Sequence, residues 1–324
     1  MKAYLFDKFG IENLIMKEID EPEANEGYVR VKPILAGINP LDYNVAAGKV
    51  IYGVQPMPHI PGSEILAVVD RDGKKFRKGD RVLIYNRIYD GTCNFCLSGH
   101  EYLCNNGGIY GVVSNGGFAE ALSIREENLF KVPGNISDEV AVSLPIAALT
   151  PYHALKEARV GAGQSLLVYG ASGNTGIFAT QLGNLMGLEV YAVSSKGYLR
   201  DFGAGETFSM EKLPENFKAD IVINSLGGEL FSKSIDHVQK MGKLITFGVL
   251  SGRECTLDLG KIYTSELNII GSTGGSRSDM REIINIASEK GLKVKIDKIF
   301  PFDKLKDALK YFEKPREGRV LIKF

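Results

Sequence analysis

With 324 residues, 44% of them hydrophobic and 24% charged, the chain has ordinary globular composition and is long for a single core, which points to two domains and excludes a disordered protein. Lys+Arg and Asp+Glu balance at 39 each, so no global field gathers nucleic acid or an anionic membrane surface, and small molecules are the expected partners. The N-terminus MKAYLFDKFG carries acids and lacks a signal peptide's apolar run, and no stretch reaches the roughly 18 apolar residues of a membrane span, so a cytoplasmic protein is expected.

Up to about residue 125 the chain is rich in short strand signals, such as GYVRVKPILAG and ILAVVD, separated by Gly, Pro and Asp turns. A helical signal follows at SDEVAVSLPIAALTPYHALKEA, with Ser137 as N-cap and acids in the first turn. Apolar strands then alternate with helices: SLLVYG, NTGIFATQLGNLMG, EVYAVS, ADIVINSLG, KLITFGV and LNIIGST. Strands without polar alternation, bounded by helices, suit a parallel sheet buried on both faces. After Gly271 come a helix (SDMREIINIASEKG), a strand (KIDKIF), a further helix and a terminal strand (GRVLIKF), which could return to pack on the first domain.

The strongest local signal is the turn Gly170, Ala171, Ser172, Gly173, Asn174, Thr175, Gly176, with an apolar strand before it and a helix after it. Glycine permits a tight turn and close approach of backbone to a pyrophosphate, whose charge the helix N-terminus receives. The spacing departs from GxGxxG because Ala171 opens the frame, and the strand and helix around it carry the inference. A carboxylate at the end of the next strand would favour NAD; the chain has Ser194, Ser195 and Lys196, with Arg200 beyond, which suit the 2′-phosphate of NADPH better than NADH. The competing reading of Lys196 and Arg200 is an ordinary solvated helix start.

Of four cysteines, three crowd into DGTCNFCLSGHEYLC and Cys255 stands alone. Asp90, Cys93, Cys96 and Cys104 offer three thiolates and a carboxylate, enough to close a tetrahedron around one structural Zn²⁺ with no position left for substrate. The alternatives are a redox pair, an empty reduced site, and His100 in place of Asp90.

The segments AGINPLDYN, HIPGSEILAVV, FRKGDRVL, NGGFAEA, LPIAALTPYHAL, the glycine turn and EGRVLIKF resemble the medium-chain dehydrogenase/reductase superfamily along essentially the whole chain, and within it the quinone oxidoreductase and enoyl reductase branch. The resemblance implies an α/β protein: a GroES-like β domain at 1–125 and 273–324, with the zinc lobe at about 87–108, and a doubly wound parallel-sheet (Rossmann) dinucleotide-binding domain at 126–272. Where zinc alcohol dehydrogenases carry a catalytic cysteine and histidine, this chain has Asn39 and Ser63; their third ligand falls on Ala147 or a neighbour, and their relay hydroxyl on Leu41. Glu64 and Asp42 remain. Zn²⁺ without thiolate or imidazole binds poorly, so no catalytic metal is expected, and hydride transfer to a conjugated acceptor becomes the expected chemistry.

The same resemblance puts Asn39 against the nicotinamide ribose or a substrate carbonyl, Tyr43 or Tyr52 in the role of hydrogen-bond donor, and Thr150 near the nicotinamide. Phe247, Gly248 and the GSTGG segment from Gly271 match loops over the cofactor, and Arg319 either reaches the cofactor or caps the last strand. Each has a plainer alternative: a buried turn amide for Asn39, pocket wall for the tyrosines, a back-bonded helix residue for Thr150. His59 and His153 could be packed or catalytic. The leading expectation is an NADPH-dependent reductase of an electrophilic small molecule, assembled as a homodimer or homotetramer. The competing ones are a zinc alcohol dehydrogenase and a dinucleotide-binding protein without turnover.

Overall fold

The computed structural model describes residues 1–50 and 53–324, which leaves Tyr52 outside the described residues. The chain divides into two compact units, Met1–Pro145 with Ser276–Phe324, and Ile146–Gly275.

The first unit begins with β1 (Lys2–Leu5) paired antiparallel to β2 (Ile15–Glu18). Next come β3 (Tyr28–Gly37), α1 (Pro40–Ala47), β4 (Ile65–Val69), β5 (Arg81–Ile84), β6 (Arg87–Ile88), α2 (Asn94–Leu97), β7 (Gly108–Ile109), β8 (Leu122–Arg125), β9 (Leu129–Lys131) and α3 (Asp138–Val142). Strand β3 alternates buried and exposed positions until its buried C-terminal end. Its Pro33, which has no amide proton to donate, sits at a register shift against β4, where a ladder bond is already missing. Ser137 caps α3, its side chain accepting from the Val140 amide.

The second unit is built from α4 (Leu149–Glu157), β10 (Ser165–Tyr169), α5 (Asn174–Leu185), β11 (Glu189–Val193), β12 (Glu206–Phe208), β13 (Ala219–Asn224), α6 (Gly228–Ser234), β14 (Val238–Thr246), α7 (Leu259–Thr264) and β15 (Asn268–Gly271). Its six strands are all parallel in the order β12-β11-β10-β13-β14-β15. The order reverses direction between β10 and β13, the switch point where doubly wound sheets open a crevice at their strand ends. Leu167, Tyr169, Val193, Val222 and Leu244 fill one side of this sheet.

The chain then re-enters the first unit through α8 (Arg277–Lys290), β16 (Ile296–Pro301), α9 (Leu305–Phe312) and β17 (Arg319–Lys323). There β17 pairs antiparallel with β3, giving a seven-stranded sheet in the order β16-β17-β3-β4-β5-β9 with β8 also on β3. Phe6, Ile38, Phe118, Leu305, Leu309 and Ile322 share its core. The terminal elements thus return to the first unit. The change of unit expected after residue 125 falls later, at 145, because β9 pairs with β5 and α3 packs on β3 and β4. The return falls at 276 where 273 was expected. No helix among the described residues is long and apolar enough to cross a membrane.

Candidate functional site

The dinucleotide turn leaves β10 through Gly170, whose φ of 67° suits glycine. The Gly170 carbonyl accepts from the Gly173 amide at 2.9 Å, and Gly173 is the extended N-cap of α5. Gly176 lies so close to the start of the turn that a Cβ would stand 2.7 Å from Ala171 Cα and overlap the Gly170 carbonyl. Ala171 is buried while Ser172, Asn174 and Thr175 are half-exposed, and α5 has no acid in its first turn. No acid in that first turn opposes a phosphate at the helix N-terminus.

Beside this turn β11 ends at Val193 and is followed by Ser194, whose amide donates to Phe208 O at 2.7 Å and whose hydroxyl accepts from the Lys196 amide at 3.2 Å. Ser195 and Arg200 are exposed, and no acid stands between Val193 and Arg200. On the other side β13 ends in Asn224, fully buried. Its Oδ1 accepts from the Leu226 amide at 2.9 Å and the Gly227 amide at 3.3 Å, and its Nδ2 donates to Leu230 O at 2.9 Å. This side chain freezes a loop whose Leu226 packs against Gly170. Sequence reading passed over Asn224, although NSLGG at the end of an apolar run was the available signal. Phe247 and Gly248 follow β14, and a Cβ on Gly248 would lie 2.7 Å from Ser225 O, so this loop also leans on the β13 loop. Thr150 stands half-exposed in the first turn of α4, and Gly275 of GSTGG packs on Leu149 and His153 of that helix. His153 is buried there.

In the first unit, the sequence NPLD starts α1: Asn39 is the N-cap, Pro40 fills the first position, and the Asp42 carboxylate accepts from the Asn39 amide at 2.8 Å. The other Asp42 oxygen accepts from the Ser63 amide at 2.9 Å. Asn39, 3% exposed, donates from Nδ2 to Glu64 at 2.8 Å, and Glu64 is also ion-paired with Arg319. Gly37 makes room, since a Cβ there would overlap both members of that pair. Arg319 is therefore buried against Glu64 and does not cap the last strand, and its Nε and Nη1 have no hydrogen-bond partner among the described residues. Burial with Glu64 nearby pushes the Asp42 carboxyl up to about 7. Tyr43, the next residue along α1, donates its hydroxyl proton to Glu313, and that bond raises the phenol above its ordinary value. The structure thus gathers Asn39 and Arg319 with Glu64 and Asp42, while Tyr43 joins a different carboxylate. His59 is fully buried with Nε2 2.9 Å from Gly111 O, and burial lowers its pKa, which is the behaviour of a packed neutral histidine.

The cysteine lobe is an insertion between the paired strands β6 and β7. One ligand atom from each of Asp90, Cys93, Cys96 and Cys104 lies within 4.8 Å of all the others, making this a cluster able to hold a metal ion. Cys93 Sγ is 3.6 Å from Cys96 Sγ and 3.8 Å from Cys104 Sγ. Two thiolates at tetrahedral zinc stand about 3.8 Å apart for Zn–S near 2.3 Å, so the donor set fits this ion. The Asp90 amide donates to Cys104 Sγ at 3.3 Å, and amides of Cys93 and Thr92 hold the Asp90 carboxyl well below the usual carboxylate range. His100 is exposed, with Nδ1 3.1 Å from Ser98 Oγ, and is outside the cluster. Cys255 is exposed elsewhere.

A six-stranded parallel sheet with a glycine turn at its switch point, joined in one chain to a β unit carrying a metal-fit lobe, defines a dinucleotide-dependent oxidoreductase. Comparison with known proteins agrees: residues 25–134 match the alcohol dehydrogenase GroES-like domain, and residues 175–289 match the zinc-binding dehydrogenase family. A thermostable alcohol dehydrogenase from Pyrobaculum aerophilum, solved with cobalt and zinc bound, is 35% identical, covers 100% of this chain and 99% of its own, and superposes with a TM-score of 0.94. An NAD-dependent alcohol dehydrogenase from Sulfolobus acidocaldarius is 28% identical over 100% of this chain and 99% of its own length. An acryloyl-coenzyme A reductase from Metallosphaera sedula is also 28% identical, over 95% of each chain. The chain belongs to the medium-chain dehydrogenase/reductase superfamily and is an NAD(P)-dependent oxidoreductase of that family.

The contact at Gly176 predicts that Gly176→Val lowers NAD(P)H affinity at least tenfold, or about 1.4 kcal/mol, in a fluorescence titration. Unchanged affinity would remove the turn from the cofactor site. A second expectation concerns Asp42, whose folded pKa near 7 lies above its unfolded value. The sign follows: its contribution to stability is full below about pH 4 and is lost as pH rises through 7. Asp42→Asn is expected to flatten that fall, so urea unfolding at pH 4.5 and 7.5 differs between variant and wild type by roughly 2–4 kcal/mol; parallel curves would refute the raised value.

Proposed function

We propose that the chain is an NADPH-dependent reductase of conjugated acceptors, an enone, enoyl thioester or quinone, that works without a catalytic metal. The observation that carries the proposal is the donor set around Glu64. Zn²⁺ placed there would meet the Asn39 amide, the Ser63 hydroxyl and a carboxylate already bound by Asn39 and Arg319. No thiolate or imidazole stands at these positions, and a catalytic zinc site is built from such ligands.

Without a Lewis acid, an unactivated ketone or alcohol lacks several kcal/mol of charge stabilisation. A conjugated acceptor spreads the developing charge onto its carbonyl oxygen, where hydrogen-bond donors or water suffice. NADPH supplies the hydride when bound. The chain's own part is to hold the pyrophosphate on the α5 amides, set the nicotinamide through the β13 and β14 loops, and exclude water. The choice of NADPH rests on Ser194, Ser195, Lys196 and Arg200, where an NAD enzyme would place an acid. For assembly, we read the edge strand β15 as a self-pairing surface: Ile269 on it is 41% exposed, with Leu250, Leu259 and Tyr263 exposed nearby in sequence.

The alcohol dehydrogenase reading is kept alive by the cobalt- and zinc-bound relative. Metal analysis and turnover separate the two. One zinc per chain, with NADPH oxidation on an enone or quinone panel undiminished by chelator, supports the proposal. Two zinc ions with chelator-sensitive alcohol oxidation would overturn it, and silence across the whole panel would leave a binding protein. Ser194→Asp is expected to lower the NADPH:NADH ratio of kcat/KM at least tenfold, about 1.4 kcal/mol; a constant ratio would place phosphate recognition elsewhere. Light scattering is expected to show a dimer or tetramer that Ile269→Asp splits, and a monomeric wild type would refute the pairing.

A further inference from the structure

We propose that Asn106 is the positioning residue of the metal in the cysteine lobe: its amide pins the Asp90 carboxylate as a one-oxygen ligand and thereby sets how slowly the metal leaves. This rests on the reading of Asp90, Cys93, Cys96 and Cys104 as a zinc site. A thiolate has one donor atom, whereas a carboxylate has two, can bind a cation through either or both, and can swing between those modes. Three thiolates and one such carboxylate make a site whose weakest arm is Asp90.

The structure restrains both oxygens of that arm. Oδ1 accepts from the Thr92 amide at 2.8 Å and the Cys93 amide at 3.0 Å. Those donors belong to the turn that Asp90 itself begins, and they hold one oxygen only. The other oxygen, Oδ2, accepts from Asn106 Nδ2 at 2.7 Å, and Asn106 lies 16 residues away on the opposite arm of the insertion, beyond Cys104. The bond spans the lobe from the first ligand to just past the last. With it in place each carboxylate oxygen carries a hydrogen bond, and the group is restrained from swinging between its one- and two-oxygen modes.

Two opposite effects follow from one hydrogen bond. The donor withdraws charge from a ligand group, which weakens its bond to the metal, and it fixes orientation, which strengthens it. Partners that orient a ligand change metal affinity by about 10- to 100-fold when removed, so orientation is expected to win. Asn106 is exposed, and water competes for the same oxygen, so the lower end of that range applies. Exposure also means that substitution there leaves the core untouched.

The experiment measures zinc content and the rate of zinc transfer to a chromogenic chelator for wild type, Asn106→Ala, Asn106→Asp and Asp90→Cys, together with visible spectra of the cobalt-substituted forms. Expected are one zinc per chain in the wild type and release about tenfold faster from Asn106→Ala. Asn106→Asp, of the same shape but with repulsion in place of donation, should release faster still, and Asp90→Cys should release more slowly than wild type. The cobalt form of Asn106→Ala should lose visible intensity as its coordination number rises, a change that a general loosening of the fold would not produce while circular dichroism stays constant. Bound zinc with equal or slower release from Asn106→Ala overturns the role of Asn106 alone. Absence of zinc from both the wild type and Asp90→Cys overturns the metal reading beneath it.

Discussion

Glu64 and Arg319 are separated by 255 residues, and both side chains are excluded from solvent, at 0% and 1% exposure. Arg319 opens β17, the strand that brings the C-terminal segment back to β3, and Gly37 at the end of β3 lies against both charges. Removing one partner of such a pair leaves an uncompensated buried charge, a cost of about 3–5 kcal/mol. The return of the chain into its first unit and the composition of the candidate site are therefore one problem. Asp42 is the second buried carboxylate nearby. Its proton is retained toward neutral pH by its burial and, after that, by the Glu64 charge beside it.

The same pair bears on the chemistry. A carboxylate whose Oε2 takes both the Arg319 guanidinium and an amide hydrogen from Asn39 is a weaker ligand for a divalent ion, because its charge is partly neutralised. Nothing at Asn39 or Ser63 makes up the deficit, since neither an amide nor a hydroxyl approaches the affinity of thiolate or imidazole for zinc. The arrangement suits an orienting role: rigid, hydrogen-bonded and held at the start of a capped helix. Under the proposed function, such an enzyme would contribute position and exclusion of water more than polarisation, which suits acceptors that carry their own electron sink.

Much of this was legible in the sequence, and what was missed has a physical reason. The parallel sheet announced itself because strands buried on both faces are nearly continuous in apolar residues, as SLLVY and ADIVIN are. By contrast β12 is three half-exposed or exposed residues, ETF, and gives no such signal. The cysteine lobe was readable because all its ligands fall within residues 90–104. The role of Arg319 was not, because a lone arginine before a strand does not reveal a partner at position 64; only the antiparallel pairing of β17 on β3 brings it there. Asn224 escaped for a related reason, since a polar residue at a strand end reads as the start of a loop. Its importance lies in three bonds to backbone groups that pattern alone does not show. Tyr43 kept its place on α1 but found its partner in Glu313, again across a long stretch of sequence.

The two metal positions implied by the family separate for a reason that chain connectivity supplies. In the lobe, the four ligand residues lie within the 15 residues 90–104, inside an insertion closed by the short pairing of β6 and β7, so assembling it costs little loop entropy. The position around Asn39, Ser63 and Glu64 draws on separate elements and is closed by a cation of the protein's own, so its electrostatics are satisfied without an exogenous ion. A single zinc in this chain would therefore report on the stability of the lobe, and under the proposed function the reacting group's electronic demand would fall to the acceptor and to hydrogen bonds.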